Sequence, residues 1–202
     1  MIILKKYFSN LVDIKRICCI GAGYVGGPTM AVIAKNCPEI KVEVVDVNQE
    51  RINAWNDNNL NNLPVFEPGL TDIVNKVRNK NLCFSSNVEC AIEKADMVFI
   101  SVNTPVKKKG IGAGQTSDLR WVESCARQIC KSAMGHTIVV EKSTLPVKTA
   151  QTIKDILYSS NDNNLGFLIS CYESNNSRII FEGCFKSPCS ETSNRFLKYI
   201  YY

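Results

Sequence analysis

The chain has 202 residues with a formal net charge of +5, 45% hydrophobic and 21% charged residues, which is enough for one sizeable core and ordinary for a globular protein. No apolar run approaches the roughly twenty residues of a membrane span, and no basic block exceeds Lys107-Lys108-Lys109. Neither a membrane nor a nucleic acid is indicated as a partner, and the lysine triplet reads as a solvated loop.

Residues 1–14 have some apolar character, but Lys5, Lys6 and Asp13 interrupt it and no small-residue cleavage site follows. They read as a short extension rather than a signal peptide. From Lys15 onward, apolar strand runs alternate with amphipathic helical stretches. Strands are expected at Arg16 to Ile20, Val42 to Val47, Leu82 to Ser85, Met97 to Val102, Thr137 to Glu141 and Phe167 to Ser170. Helices are expected at Val25 to Asn36, Gln49 to Asn56, Gly69 to Asn79, Val88 to Lys94, Asp118 to Met134 and Val147 to Tyr158. The Asp118 helix is the clearest, with Leu119, Val122, Ala126, Ile129 and Ala133 on one face and Ser117 placed to cap it; Pro146 suits the start of the last helix. Continuous apolar strands separated by crossover helices predict an α/β fold. The expected form is a doubly wound, Rossmann-like parallel sheet of about six strands with helices on both faces.

The run Ile17-Cys18-Cys19-Ile20-Gly21-Ala22-Gly23-Tyr24-Val25-Gly26-Gly27 reads as strand, phosphate loop and helix. Gly21 permits the tight turn, Gly23 lets backbone approach a pyrophosphate, and Gly26 lets the helix pack close to the strand. The helix N-terminus then faces the anion. A second strand, Val42-Glu43-Val44-Val45-Asp46, ends in an acid about twenty residues beyond Gly26, the spacing of a dinucleotide fingerprint. A carboxylate at Asp46 accepts hydrogen bonds from ribose hydroxyls and repels a 2′-phosphate, which implies NAD rather than NADP.

Ligands of such a sheet lie beyond the carboxyl ends of its strands. After the second strand comes Arg51, reaching either the adenine end of a cofactor or a surface salt bridge. Val102-Asn103-Thr104-Pro105 follows the fourth strand as a polar turn, and Glu141-Lys142-Ser143-Thr144-Leu145-Pro146 follows the fifth. Ser143 and Thr144 are either helix caps or ligand contacts, and strand-end position favours contact. The polar loop from Val106 to Thr116, with Gly110, Gly112 and Gly114, has the composition of a lid.

Ten cysteines suggest a disulfide framework until their positions are read. Cys18 and Cys19 fall in a buried-strand pattern, Cys125 and Cys130 in a helix, and no C-x-x-C pair or histidine cluster occurs. A reduced, cytoplasmic protein without a metal site fits better. His136 is the single histidine and reads as a turn residue, which disfavours Ser-His-Asp or zinc chemistry.

In combination, Lys15 to Thr29, Val44-Val45-Asp46-Val47-Asn48, Arg51 to Asn56, Phe66-Glu67-Pro68-Gly69-Leu70, Phe99 to Pro105 and Glu141-Lys142-Ser143-Thr144 closely resemble the UDP-glucose 6-dehydrogenase family of animals. The resemblance covers about Lys15 to Ser170. It implies oxidation of UDP-glucose by two NAD to UDP-glucuronate, a precursor of glycosaminoglycans and glucuronides. It also implies NAD contacts at Gly21, Ala22, Gly23, Tyr24, Val25, Gly26, Asp46, Arg51, Val102, Asn103, Thr104, Pro105, Val106, Ser143, Thr144 and Leu145. Thr144 matches, in addition, a threonine near the reacting water, and the family is homo-oligomeric. Asn58 to Asn62 forms a short insertion expected to be harmless.

The likeness stops after Ser170, where Ser170-Cys171-Tyr172-Glu173-Ser174 replaces the family's pattern, so the catalytic role matching Glu173 is not carried over. Gly183-Cys184-Phe185-Lys186 only superficially resembles the family's nucleophile context. The expected organisation is an extension over 1–14, an NAD-binding domain over 15–170 and a divergent tail over 171–202. Two readings follow: a member of the dehydrogenase family carrying its cofactor half and expected not to turn over alone, or a non-catalytic NAD-binding module or unstable truncated product. A dehydrogenase of another UDP-sugar is the alternative within the enzyme class.

Overall fold

A computed structural model describes residues 14–106, 117–135, 137–142, 149–159 and 167–171. In chain order these form β1 (Arg16–Ile20), α1 (Gly26–Asn36), β2 (Lys41–Val45), α2 (Gln49–Asn56), a 3-10 turn (Leu60–Asn62), α3 (Leu70–Val77), β3 (Leu82–Ser85), α4 (Val88–Glu93), β4 (Met97–Ile100), α5 (Arg120–Ser132), β5 (Thr137–Glu141), α6 (Thr149–Ser159) and β6 (Phe167–Cys171). All strand pairs are parallel, and the sheet order is β3-β2-β1-β4-β5-β6. Sheet growth therefore reverses direction between β1 and β4. Ile20 is level with both Val45 and Ile100, so β1, β2 and β4 end together and open a crevice at the switch point.

Alternation along each strand divides the core in two. Ile17 and Cys19 join Met30, Ile33, Trp55 and Val74 beneath α1, α2 and α3. Cys18 and Ile20 face the other way, onto Ile92, Val122, Ile129 and Leu157 of α4, α5 and α6. Burial on both faces explains why the central strands β1 and β4 read as unbroken apolar runs instead of alternating ones.

Three side chains, Trp55, Arg78 and Asn81, make the long-range contacts that fix the β1–β3 half of the sheet. The Trp55 ring stacks on Phe84 at 4.6 Å, nearly parallel, and its Nε1–H donates to the Ala22 carbonyl at 2.8 Å. Arg78 donates through Nη1 to the carbonyls of Trp55 (2.7 Å) and Asp57 (2.8 Å). Asn81 Nδ2 donates to the carbonyls of Ala34 (2.8 Å), Cys37 (3.3 Å) and Ile40 (3.1 Å), covering the end of α1. Helix C-termini leave such carbonyls unpaired unless side chains reach them.

Several expected boundaries shift. β2 stops at Val45, short of Val47, because the chain turns at Asp46 and Asn48 starts α2 by accepting from the Arg51 amide at 3.0 Å. β4 ends at Ile100 rather than Val102, and β6 runs to Cys171 rather than Ser170. The Asp118 helix begins at Arg120, and Ser117 is not its cap: Ser117 pairs with Val106 in an isolated bridge, while Asp118 Oδ1 accepts from the Arg120 amide at 3.2 Å. Just before the insertion, Asp57 accepts from the Asn62 side chain (2.7 Å) and the Asn59 amide (2.8 Å), and these bonds hold its carboxyl below the usual range. The expectations for His136, Pro146, the lysine-rich part of the Val106 to Thr116 loop and the segment after Cys171 lie outside the described residues.

Candidate functional site

The turn after β1 is shaped by three tight approaches. Gly21 has φ +110°, and a Cβ there would lie 2.4 Å from the Ser101 carbonyl oxygen. At Gly26 a Cβ would meet the Gly21 carbonyl oxygen at 1.9 Å, and at Gly27 the Trp55 ring at 2.1 Å. These glycines serve packing of loop, strand and helix. Gly23 differs: a Cβ there would meet nothing within 4 Å, so its lack of a side chain leaves open space above the loop. The amides of Gly23, Tyr24 and Val25 donate to no described backbone or side-chain acceptor and lie beside the start of α1. Open space and free amides at a helix N-terminus suit a pyrophosphate.

Asp46 stands directly across the crevice, 8% exposed. Its Oδ2 accepts from the Ala22 amide (2.9 Å) and Arg51 Nη1 (2.9 Å), and its Oδ1 accepts from the Asn48 amide (2.9 Å). A carboxylate offers roughly four lone-pair positions, so three internal donors leave about one on Oδ1 for an incoming hydroxyl. Arg51 is thus both an ion-pair partner and a wall of the site, where the sequence left these as alternatives.

Between the loop and the ends of β2 and β4 lies a cleft of about 430 Å³. Gly21, Gly23, Asp46, Arg51, Val102, Asn103 and Pro105, all among the residues the sequence singles out, line it. Ala22 and Gly26 are buried behind it, and Tyr24 and Val25 stand exposed on the loop. Thr104 and Val106 do not line it, whereas Ser143, Thr144 and Leu145 fall outside the described residues.

Sequence reasoning missed the opposite wall. Trp121, Ser124 and Gln128 of α5 line the cleft, and Val47 flanks it from β2's end. Trp121 is 57% exposed and Val47 84% exposed, so two apolar surfaces face water at the cleft mouth. The spacing of Trp121, Ser124 and Gln128 marks one helical face, which sequence alone reads as a solvated side. A tryptophan there was the available signal.

Thiol chemistry is muted nearby. Cys125, also in the lining, is pushed by burial to about 12, and Cys19 behind the loop likewise to about 12. Such thiols stay protonated and serve as small apolar groups. No cluster of metal-ligating side chains occurs among the described residues, and no described helix is long and apolar enough to cross a membrane.

A family model described as the UDP-glucose/GDP-mannose dehydrogenase family, NAD binding domain, matches residues 15–181. A UDP-glucose 6-dehydrogenase of Rattus norvegicus is 54% identical over 159 residues, covering 79% of this chain and 32% of the relative. UDP-glucose 6-dehydrogenase 2 of Arabidopsis thaliana is 58% identical over 142 residues, covering 70% and 29%. The chain therefore spans about a third of the length of these relatives. Among solved structures, a GDP-mannose dehydrogenase ternary complex from Pseudomonas aeruginosa superposes with TM-score 0.64 at 23% identity over 91% of this chain and 43% of that one. A UDP-glucose dehydrogenase from Pyrobaculum islandicum gives 0.66 at 22% identity over 95% and 45%. At that identity the structures speak for the fold. The family model covers most of the chain, and the glycine turn, free amides and Asp46 fit the cofactor that it names: the chain belongs to the UDP-glucose/GDP-mannose dehydrogenase family and carries its NAD-binding domain.

Proposed function

We propose that the chain binds NAD along the cleft between the glycine loop and α5, and serves as the cofactor half of an enzyme that oxidises UDP-glucose to UDP-glucuronate. The observation that carries this is Asp46, held at the end of β2 by the Ala22 amide, the Asn48 amide and Arg51 with one acceptor position left over. Bound NAD supplies the hydride acceptor for an alcohol oxidation. Gly23, Tyr24 and Val25 hold the pyrophosphate with backbone amides, and Asp46 accepts from a ribose hydroxyl. Val47 and Trp121 cover the adenine faces, and Val102, Asn103 and Pro105 line the path toward the nicotinamide. The family resemblance assigns Ser143, Thr144 and Leu145, which follow β5 in the sequence, to the same cofactor, and Thr144 to the step that involves water.

The names of the similar full-length proteins support UDP-glucose as substrate. Seven free cysteines among the described residues fit a reducing, cytoplasmic compartment. There the product would supply glycosaminoglycan and glucuronide formation. Residues 15–170 form the cofactor domain in this reading.

Tryptophan emission gives a direct test. The chain has two tryptophans, and Trp55 is buried while Trp121 lines the cleft. Titration with NAD should quench the Trp121 emission saturably, and NADP should bind at least about tenfold more weakly because its 2′-phosphate meets the Asp46 carboxylate. Equal affinity for the two cofactors, or quenching that persists in Trp121→Phe, would refute the assignment.

A further inference from the structure

We propose that the chain carries a second binding pocket, at the end of the sheet opposite the NAD cleft, that takes a phosphate-bearing small molecule. It is a hollow of about 240 Å³ where the amino ends of β1, β2 and β3 meet α4. With six residues, α4 is too short to cover the sheet there, and the exposed face of β2 and β3 shows Glu43 and Cys83 in place of an apolar pair.

Four cationic residues border this hollow: Arg16 from β1, Lys41 from β2, Lys80 from the turn before β3 and Lys94 from the end of α4. Against them stands one carboxylate, Glu43, whose Oε1 already accepts from Ser85 Oγ at 2.8 Å. None of the four cations forms a salt bridge with a described residue, whereas Arg51, Arg120, Arg127 and Lys131 each do. Lys94 is held charged first by a hydrogen bond with the Cys90 thiol, while Glu43 favours and Arg16 opposes its charge. Ala91 and Ala95 supply an apolar lining. Uncompensated positive charge over low-polarity walls in a concavity concentrates anions, and the volume exceeds that of a lone phosphate. A phosphate attached to a ring or sugar satisfies both the charge and the lining.

The test is a ¹H–¹⁵N correlation titration of the full chain, saturated with NAD so that the cofactor cleft is blocked. Inorganic pyrophosphate and AMP are added separately at low salt. Saturable shifts are expected at the amides of Lys41, Leu82, Cys83 and Lys94. Lys41→Glu and Lys80→Glu, both at exposed positions, should each weaken the anion about tenfold or more and leave NAD affinity unchanged. AMP binding more tightly than pyrophosphate would show that the lining takes the base, and equal binding that the site reads phosphate alone. No saturable shift at these amides, or shifts of equal affinity in both charge-reversed variants, would overturn the proposal.

Discussion

Replacing Gly27 with alanine should destabilise the fold although alanine is the better helix former. The added Cβ would lie 2.1 Å from Cζ2 and 2.7 Å from Cη2 of Trp55. Ordinary contact begins near 3.4 Å, so ring or helix must give by more than about 1 Å in a close-packed interior. The ring cannot swing freely, since it is stacked on Phe84 and hydrogen-bonded to the Ala22 carbonyl. Overpacking of this kind costs about 1–3 kcal/mol, and the helix propensity gain, up to about 1 kcal/mol, is reduced at the second helical position. The expected net loss is about 1–2 kcal/mol, read in urea as a midpoint lowered by roughly 0.5–1 M at unchanged slope. Trp55→Phe removes the outer ring that clashes. The double variant should therefore lose less than the sum of the two single losses. A Gly27→Ala midpoint equal to or above that of the original chain, or strict additivity with Trp55→Phe, would refute this account of the packing.

Gly23→Ala should behave in the opposite way. Nothing lies within 4 Å of its Cβ, so stability should change by less than about 0.5 kcal/mol, while NAD affinity in a calorimetric titration should fall at least about tenfold because the methyl occupies the pyrophosphate's approach. Alkaline pH supplies a further check on the buried thiols. Burial raises Cys19 from 9.0 to about 12, so the unfolded chain releases its proton first. Stability from this group is complete below pH 9 and is lost as pH rises toward 12, with a slope on the order of 1 kcal/mol per pH unit. Urea midpoints measured from pH 8 to 11 should therefore fall less steeply in Cys19→Ala, and an identical slope would show that the thiol is not desolvated.

Much of the architecture was legible because its physics is local. β1, β3 and β5 were read to the residue: β1 and β5 are buried on both faces and announce themselves as short apolar runs between polar turns, and the edge strand β3 alternates buried Leu82 and Phe84 with exposed Cys83. The dinucleotide turn was legible because glycine is required there sterically, as Gly21 and Gly26 show. Strand ends were less clear. Asp46 and Val47 extend an apolar run in sequence, but the Asp46 carboxylate is turned back to the Ala22 and Asn48 amides, and that pairing ends β2. The bonds of Arg78 and Asn81 to carbonyls more than twenty residues away have no periodic signature. The α5 wall was hidden for a related reason: periodicity separates apolar from polar faces, yet it does not distinguish a polar face in solvent from one lining a cleft. Trp121 gains its meaning only when the fold brings it opposite Asp46.

The most direct measurement of the central claim, that Asp46 and the glycine loop form an NAD site, is a calorimetric titration of NAD into the chain and into Asp46→Ala. The variant loses the ribose acceptor, the restraint on the Ala22 amide and the partner of Arg51. Charge-assisted hydrogen bonds are worth about 1.5–3 kcal/mol each, so affinity should drop by roughly ten- to a hundredfold while both proteins remain folded by circular dichroism. Saturable binding in the original chain with that loss in the variant is the predicted result, and equal NAD affinity in the two folded proteins would contradict it.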